Sequence, residues 1–199
     1  MIIRKLLTLA LFATLAGCVT GYTLVQPGVN IAGDLQVNAG TGWNLAPAMA
    51  TFGARKDAQT WTRDGMPLDR LVLIPAVADG ETLLVDKKNT AALPRFRKDM
   101  LPNEIEELVE STLVKYFGEG NATVSTANLR PQTFGDQRGL MFDISAKLTD
   151  SPDYKGQIGA FVADEKLYTV WYIAADPYYY DKHSTLADGV IKSAAVVSR

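Results

Sequence analysis

Leu71-Val72-Leu73-Ile74 is apolar at every position. A strand alternates its side chains between two faces, so a run like this must be covered on both and belongs in the middle of a sheet. It is preceded by Thr60 to Thr62 and Arg63-Asp64-Gly65-Met66, where Asp-Gly supplies a hairpin turn into a strand over Leu68 to Ile74. Before it, Tyr22 to Val25, Val29 to Ile31 and Leu35 to Val37 read as short strands, divided by Pro27-Gly28 and Gly33-Asp34. Small residues dominate from Asn38 to Ala58, predicting a loop with one strand around Trp43. Asp79-Gly80 turns into an extended Glu81 to Val85, and Lys87 to Lys98 reads as a charged, exposed connection.

The clearest helix runs from about Asn103 to Phe117, with Ile105, Leu108, Val109, Thr112, Leu113 and Tyr116 along one face. Pro102 suits its entrance, and Gly118 and Gly120 stop it. Thr123 to Thr126 and Leu140 to Leu148 follow as strands, the latter alternating apolar and polar residues. Gln157 to Ala163 and Leu167 to Ala175 make a hairpin across Asp164-Glu165-Lys166. Asp176-Pro177 ends the sheet. A final helix is expected from about Ser184, its cap, to Val197, burying Leu186, Val190, Ile191, Ala194 and Val197. This is an α+β single domain with a mostly antiparallel sheet and two main helices, about 103–117 and 184–197. The element order resembles that of PsbP-like domains, the fold of a photosystem accessory protein. That resemblance implies a fold and carries over no functional residue.

The chain begins with a basic pair, Arg4 and Lys5, then an apolar run from Leu6 to Leu15. Such a run is too short to span a bilayer, which needs roughly 20 residues. Leu15-Ala16-Gly17-Cys18 closes it, and a basic head, apolar run and small-residue site are the parts of a secretory signal. The site resembles the lipobox of bacterial lipoproteins, whose cysteine is acylated and becomes the new N-terminus. The resemblance implies residues 1–17 as signal peptide, 18–21 as lipidated N-terminus and short tether, and 22–199 as the folded domain. Its partner would be the lipid bilayer, through acylated Cys18, in a bacterial cell envelope. Val19, in place of the aspartate that retains such proteins at the inner membrane, favours the outer membrane facing the periplasm.

Cys18 is the only cysteine, so no disulfide is possible and an apolar core must hold the fold. Losing Arg4 and Lys5 with the leader reduces 20 basic residues to 18 against 22 acidic ones, a net charge of −4. Nucleic acid is therefore not an expected partner. One histidine, His183, and no free thiol leave no metal set and no cofactor motif. Asp181, His183 and Ser184 stand together but read as a polar loop leading into a helix cap, since triad members come from separate elements. Glu104, Glu106, Glu107 and Glu110 read as a solvated helix face, and Arg95, Arg97 and Lys98 around Phe96 as surface. The glycines Gly118 and Gly120, and those from Gly135 to Gly139, lack the lysine of a phosphate loop.

Aromatic residues concentrate late in the chain: Tyr168, Trp171 and Tyr172 on a strand, then Tyr178-Tyr179-Tyr180 on an expected loop. Trp171 and Tyr172 must point to opposite faces. Three tyrosines on a short connection cannot all be buried, which makes Tyr178, Tyr179, Tyr180 and Trp171 the candidate partner or ligand contacts. The leading expectation is a non-enzymatic envelope lipoprotein with a partner-binding or assembly role toward an envelope protein. The alternative is a carrier of a small or lipid-like ligand in a sheet–helix pocket, and a hydrolase ranks below both.

Overall fold

In the computed structural model, residues 21–53, 55–85, 92–118 and 120–197 are described. The leader and Cys18 lie outside them. Among the described residues the strands and α-helices follow in order: β1 (Thr23–Val25), β2 (Val29–Ala32), β3 (Leu35–Asn38), β4 (Trp43–Leu45), β5 (Gln59–Thr62), β6 (Asp69–Val77), α1 (Pro102–Phe117), β7 (Ala122–Phe134), β8 (Gln137–Leu148), β9 (Tyr154–Ala163), β10 (Lys166–Ala175), α2 (Tyr178–Lys192) and β11 (Ala195–Val196). Eight strands form one antiparallel sheet in the order β1-β4-β5-β6-β10-β9-β8-β7, and β11-β3-β2 form a small second one.

The all-apolar run explains the layering. β6 pairs with β5 on one side and β10 on the other, as a central strand should. Val72 and Ile74 enter a core shared with α1, while Leu71 and Leu73 enter a second core shared with α2 and the small sheet. β10 splits the same way, with Trp171 and Ile173 facing α1 and Tyr168, Val170 and Tyr172 facing α2. The molecule is thus three layers deep, and both faces of its middle strands are dry.

α1 forms where its apolar spacing places it and buries Ile105, Leu108, Val109, Thr112 and Leu113. Glu104 Oε2 accepts the Leu101 N–H at 2.7 Å, satisfying one of the free donors at the helix start. On the far side, Phe134, Phe161 and Tyr168 stack with centroids 5.0 and 5.3 Å apart. Gly159 lets α2 lie close to them, because a Cβ there would sit 2.5 Å from the Cγ2 of Ile191. The β9–β10 hairpin turns on Asp164 and Glu165 with φ of +48° and +58°, and Lys166 already belongs to β10.

Four expectations are corrected. The last helix spans Tyr178–Lys192 rather than 184–197, so it starts six residues earlier, and Ser184 is inside it rather than capping it. The chain beyond it is a short strand, because Ser193 stops the helix by accepting the Asn38 N–H (2.8 Å) and donating to Val190 O (2.7 Å). β7 and β8 run much further than 123–126 and 140–148, meeting at Gly135-Asp136 as one long hairpin. Glu81 to Val85 holds a single bridge, Thr82 to Arg95, and the connection after it is not wholly exposed, since Phe96 is fully buried in the α1-side core. No helix among the described residues is long and apolar enough to cross a membrane.

Candidate functional site

The three tyrosines form the first turn of α2, where residues about 100° apart splay around the axis and meet three different fates. Tyr178 is 66% exposed, the most exposed aromatic ring among the described residues. Tyr179 is half-buried, with its ring edge-on to Tyr178 at 5.1 Å. Tyr180 stacks on Tyr172 at 6.0 Å, and the Tyr172 hydroxyl donates to Tyr179 O at 3.0 Å. Burial pushes both the Tyr172 and the Tyr180 hydroxyl above the ordinary tyrosine value, Tyr172 the further. Trp171, grouped with them as a contact candidate, is fully buried against the α1-side core and presents nothing to a partner.

A polar tie binds this turn of helix to the β5–β6 turn. Asp64 accepts from Lys182 Nζ at 2.7 Å and from His183 Nε2 at 2.8 Å. Partial burial works against ionisation of Asp64, but these two hydrogen bonds outweigh it and hold the carboxyl below its usual range. Lys182 Nζ also lies 5.7 and 5.9 Å from the ring centroids of Tyr178 and Tyr179, within cation–π range. Asp64 is held in turn by Asp69, which is fully buried and accepts from Thr62 Oγ1 (2.8 Å), Arg63 N (2.9 Å) and Asp64 N (2.8 Å).

His183 thus sits on the helix rather than in a loop, and its partner comes from 119 residues away rather than from Asp181. A carboxylate and an imidazole are two parts of a hydrolytic relay. Among the described residues the imidazole is bonded to Asp64, which Lys182 also engages, and no hydrogen bond joins it to Ser184. No group of three or more metal-ligating side chains is gathered among the described residues. What the arrangement does is fix the α2 start on the sheet and present Tyr178 and Lys182 outward, with Tyr179 half-buried beside them.

Between α1 and the sheet lies a second feature, a cavity of about 40 Å³ lined by Phe52, Arg70, Leu113, Phe117, Tyr154 and Ile173, among others. That volume holds a water or a carboxylate-sized group, far less than an acyl chain. The basic surface near Phe96 is committed elsewhere: Arg97 pairs with Asp99 (3.3 Å) and Glu104 (3.0 Å), and Lys98 with Glu165 (2.8 Å).

The sequence matches no protein-family model and no curated protein sequence. The solution structure of cyanobacterial PsbP (CyanoP) from Synechocystis sp. PCC 6803 superposes with a TM-score of 0.58 at 12% identity, covering 92% of this chain and 98% of that one. This is the PsbP-like fold. LpqN of Mycobacterium tuberculosis, a protein involved in cell envelope biogenesis, aligns over 92% of this chain and 88% of its own, also at 12% identity, with a TM-score of 0.36. The PsbP-like fold was legible from element order. Asp64, Lys182, Asp69 and Arg70 were not singled out, although an arginine abutting the Leu71–Ile74 run was a signal worth following.

Proposed function

We propose that this PsbP-like domain is a non-enzymatic envelope protein that docks a protein partner at the start of α2, through Tyr178, Tyr179, Lys182 and Asp64. The observation that carries this reading is Tyr178. Its ring is 66% exposed while the helix beneath it is fixed by Tyr180 on Tyr172 and by the Asp64 tie. A rigidly presented tyrosine beside a cation loses little entropy on binding, and tyrosine is a frequent hot spot. The small cavity supports this reading over a carrier of long acyl ligands.

A photo-crosslinking residue at position 178, introduced into the full chain in cells, is expected to trap a discrete partner species. The same residue at Leu129, exposed on β7, serves as the control. An identical crosslinking pattern from both positions would reject the α2 surface. Tyr178→Ala is expected to change stability by no more than about 0.5 kcal/mol while abolishing the trapped complex when the crosslinker is moved to the exposed position 181.

In this reading the domain is held at the bilayer, in the outer membrane facing the periplasm, by acylated Cys18. The support is the leader sequence, whose likeness to a lipobox implies a diacylglyceryl thioether and an N-acyl chain on Cys18; three chains at about 0.8 kcal/mol per buried methylene hold firmly, whereas a single chain holds marginally. Cys18→Ser is expected to move the protein from the membrane pellet to the soluble fraction with its melting temperature unchanged. Retention through a high-salt wash would refute the anchor.

A further inference from the structure

Arg70 stands in the α1-facing side of β6, opposite Ile173 of β10, in the company of Val72 and Ile74. Its guanidinium carbon lies 5.0 Å from the Phe52 ring centroid and 5.8 Å from that of Tyr154. Its Nε is sealed from solvent and meets no acceptor, and no ion pair or hydrogen bond to its guanidinium occurs among the described residues. Ring faces supply some compensation for this half-buried cation, but they do not accept the planar fork of N–H donors. Burial lowers the guanidinium pKa, which even so remains charged. The group also forms part of the wall of the cavity of about 40 Å³, whose other named walls, Phe52, Leu113, Phe117, Tyr154 and Ile173, are apolar or aromatic. A cation with no side-chain partner among the described residues and a small apolar void therefore share one recess.

We infer that this recess is a binding site for the carboxylate of a small organic monocarboxylate, held on the Arg70 guanidinium, with the short apolar tail left outside the enclosed volume at its open side. A carboxylate is the anion that matches the guanidinium fork and fits the volume. The apolar wall asks for hydrocarbon next to it, and the volume encloses the carboxylate alone. This site lies under α1, on the opposite face of the sheet from α2, and stands or falls independently of the partner surface.

The test uses butanoate as probe on the full-length mature chain, with sodium chloride matching ionic strength, and butanamide and butanol as neutral counterparts. Butanoate is expected to raise the melting temperature in a concentration-dependent way, as any ligand of the native state does, and the two neutral molecules are expected not to. Arg70→Met keeps the apolar stem and removes the charge, so it is expected to fold with an equal or higher melting temperature and to weaken butanoate binding at least tenfold. Arg70→Lys is expected to bind with intermediate strength, because the point charge lacks the fork. A wild-type melting temperature indifferent to butanoate overturns the site. So does equal binding of butanoate and butanol, or unchanged butanoate affinity in Arg70→Met. If Arg70→Met melts too low to assay, Arg70→Lys and the butanol comparison decide the matter alone.

Discussion

Asp69→Ala is expected to cost the domain about 3–5 kcal/mol, a large share of the 5–15 kcal/mol typical of a folded domain. The carboxylate is fully buried and accepts three hydrogen bonds from the β5–β6 turn. Bonds to a charged acceptor contribute about 1.5–3 kcal/mol each, and removing the acceptor strands the donors rather than returning them to water. Thr62 is itself only 1% exposed, so its hydroxyl loses a partner it cannot replace. Asp69→Asn keeps one acceptor oxygen and should lose about half as much. Urea unfolding of the three proteins checks this, and a loss below about 1 kcal/mol in the alanine variant would contradict it. A second consequence separates this site from ordinary core. Asp64 hangs on the same turn, so Asp69→Ala should also loosen the start of α2, seen as faster amide exchange over residues 178–183 than over α1.

How far such a turn could be read from the chain alone is instructive. Asp64-Gly65 announces a hairpin, because glycine takes the positive φ a tight turn needs, here +99°. The strand after it is equally plain, since Leu71 to Ile74 leave no polar face. But the carboxylate of Asp69 and its three donors look like any polar turn until the fold closes around them. Asp64 meets Lys182 and His183 across 118 and 119 residues, and no local pattern encodes that distance.

The two misplaced boundaries have the same origin. The outer half of β7, from Ala127 to Thr133, is largely exposed and offers no apolar alternation. Its extended state is held by the backbone ladder to β8 across the hairpin, which its own side-chain pattern does not encode. The start of α2 is three tyrosines, mediocre helix formers, and Ser184 mimics a cap. What fixes the first turn is tertiary: Tyr180 on Tyr172, the Tyr172 hydroxyl on Tyr179 O, and the Asp64 tie. Where the core contacts were periodic, as in α1 and β10, the reading from sequence needed no such help.

Trp171 shows the limit most sharply and allows the second large prediction. Its neighbours in sequence made it a contact candidate, yet it is fully buried, with its ring 6.5 Å from Phe52 in the α1-side core. Trp171→Ala should therefore cost about 3–5 kcal/mol, the usual toll for deleting a large buried ring and leaving a cavity. The indole Nε1 finds no acceptor among the described residues, so the ring brings an unsatisfied donor into a dry place. Trp171→Phe removes that donor along with one ring, and relief of the orphaned N–H offsets part of the lost packing. The phenylalanine variant should consequently fall within about 1 kcal/mol of wild type. Denaturant midpoints of the two variants measure the contrast, and crosslinking from position 178 tests whether function follows. If Trp171 were a contact residue, Trp171→Phe would impair the complex as much as Tyr178→Ala does. With the ring wholly internal, the phenylalanine variant should crosslink as wild type.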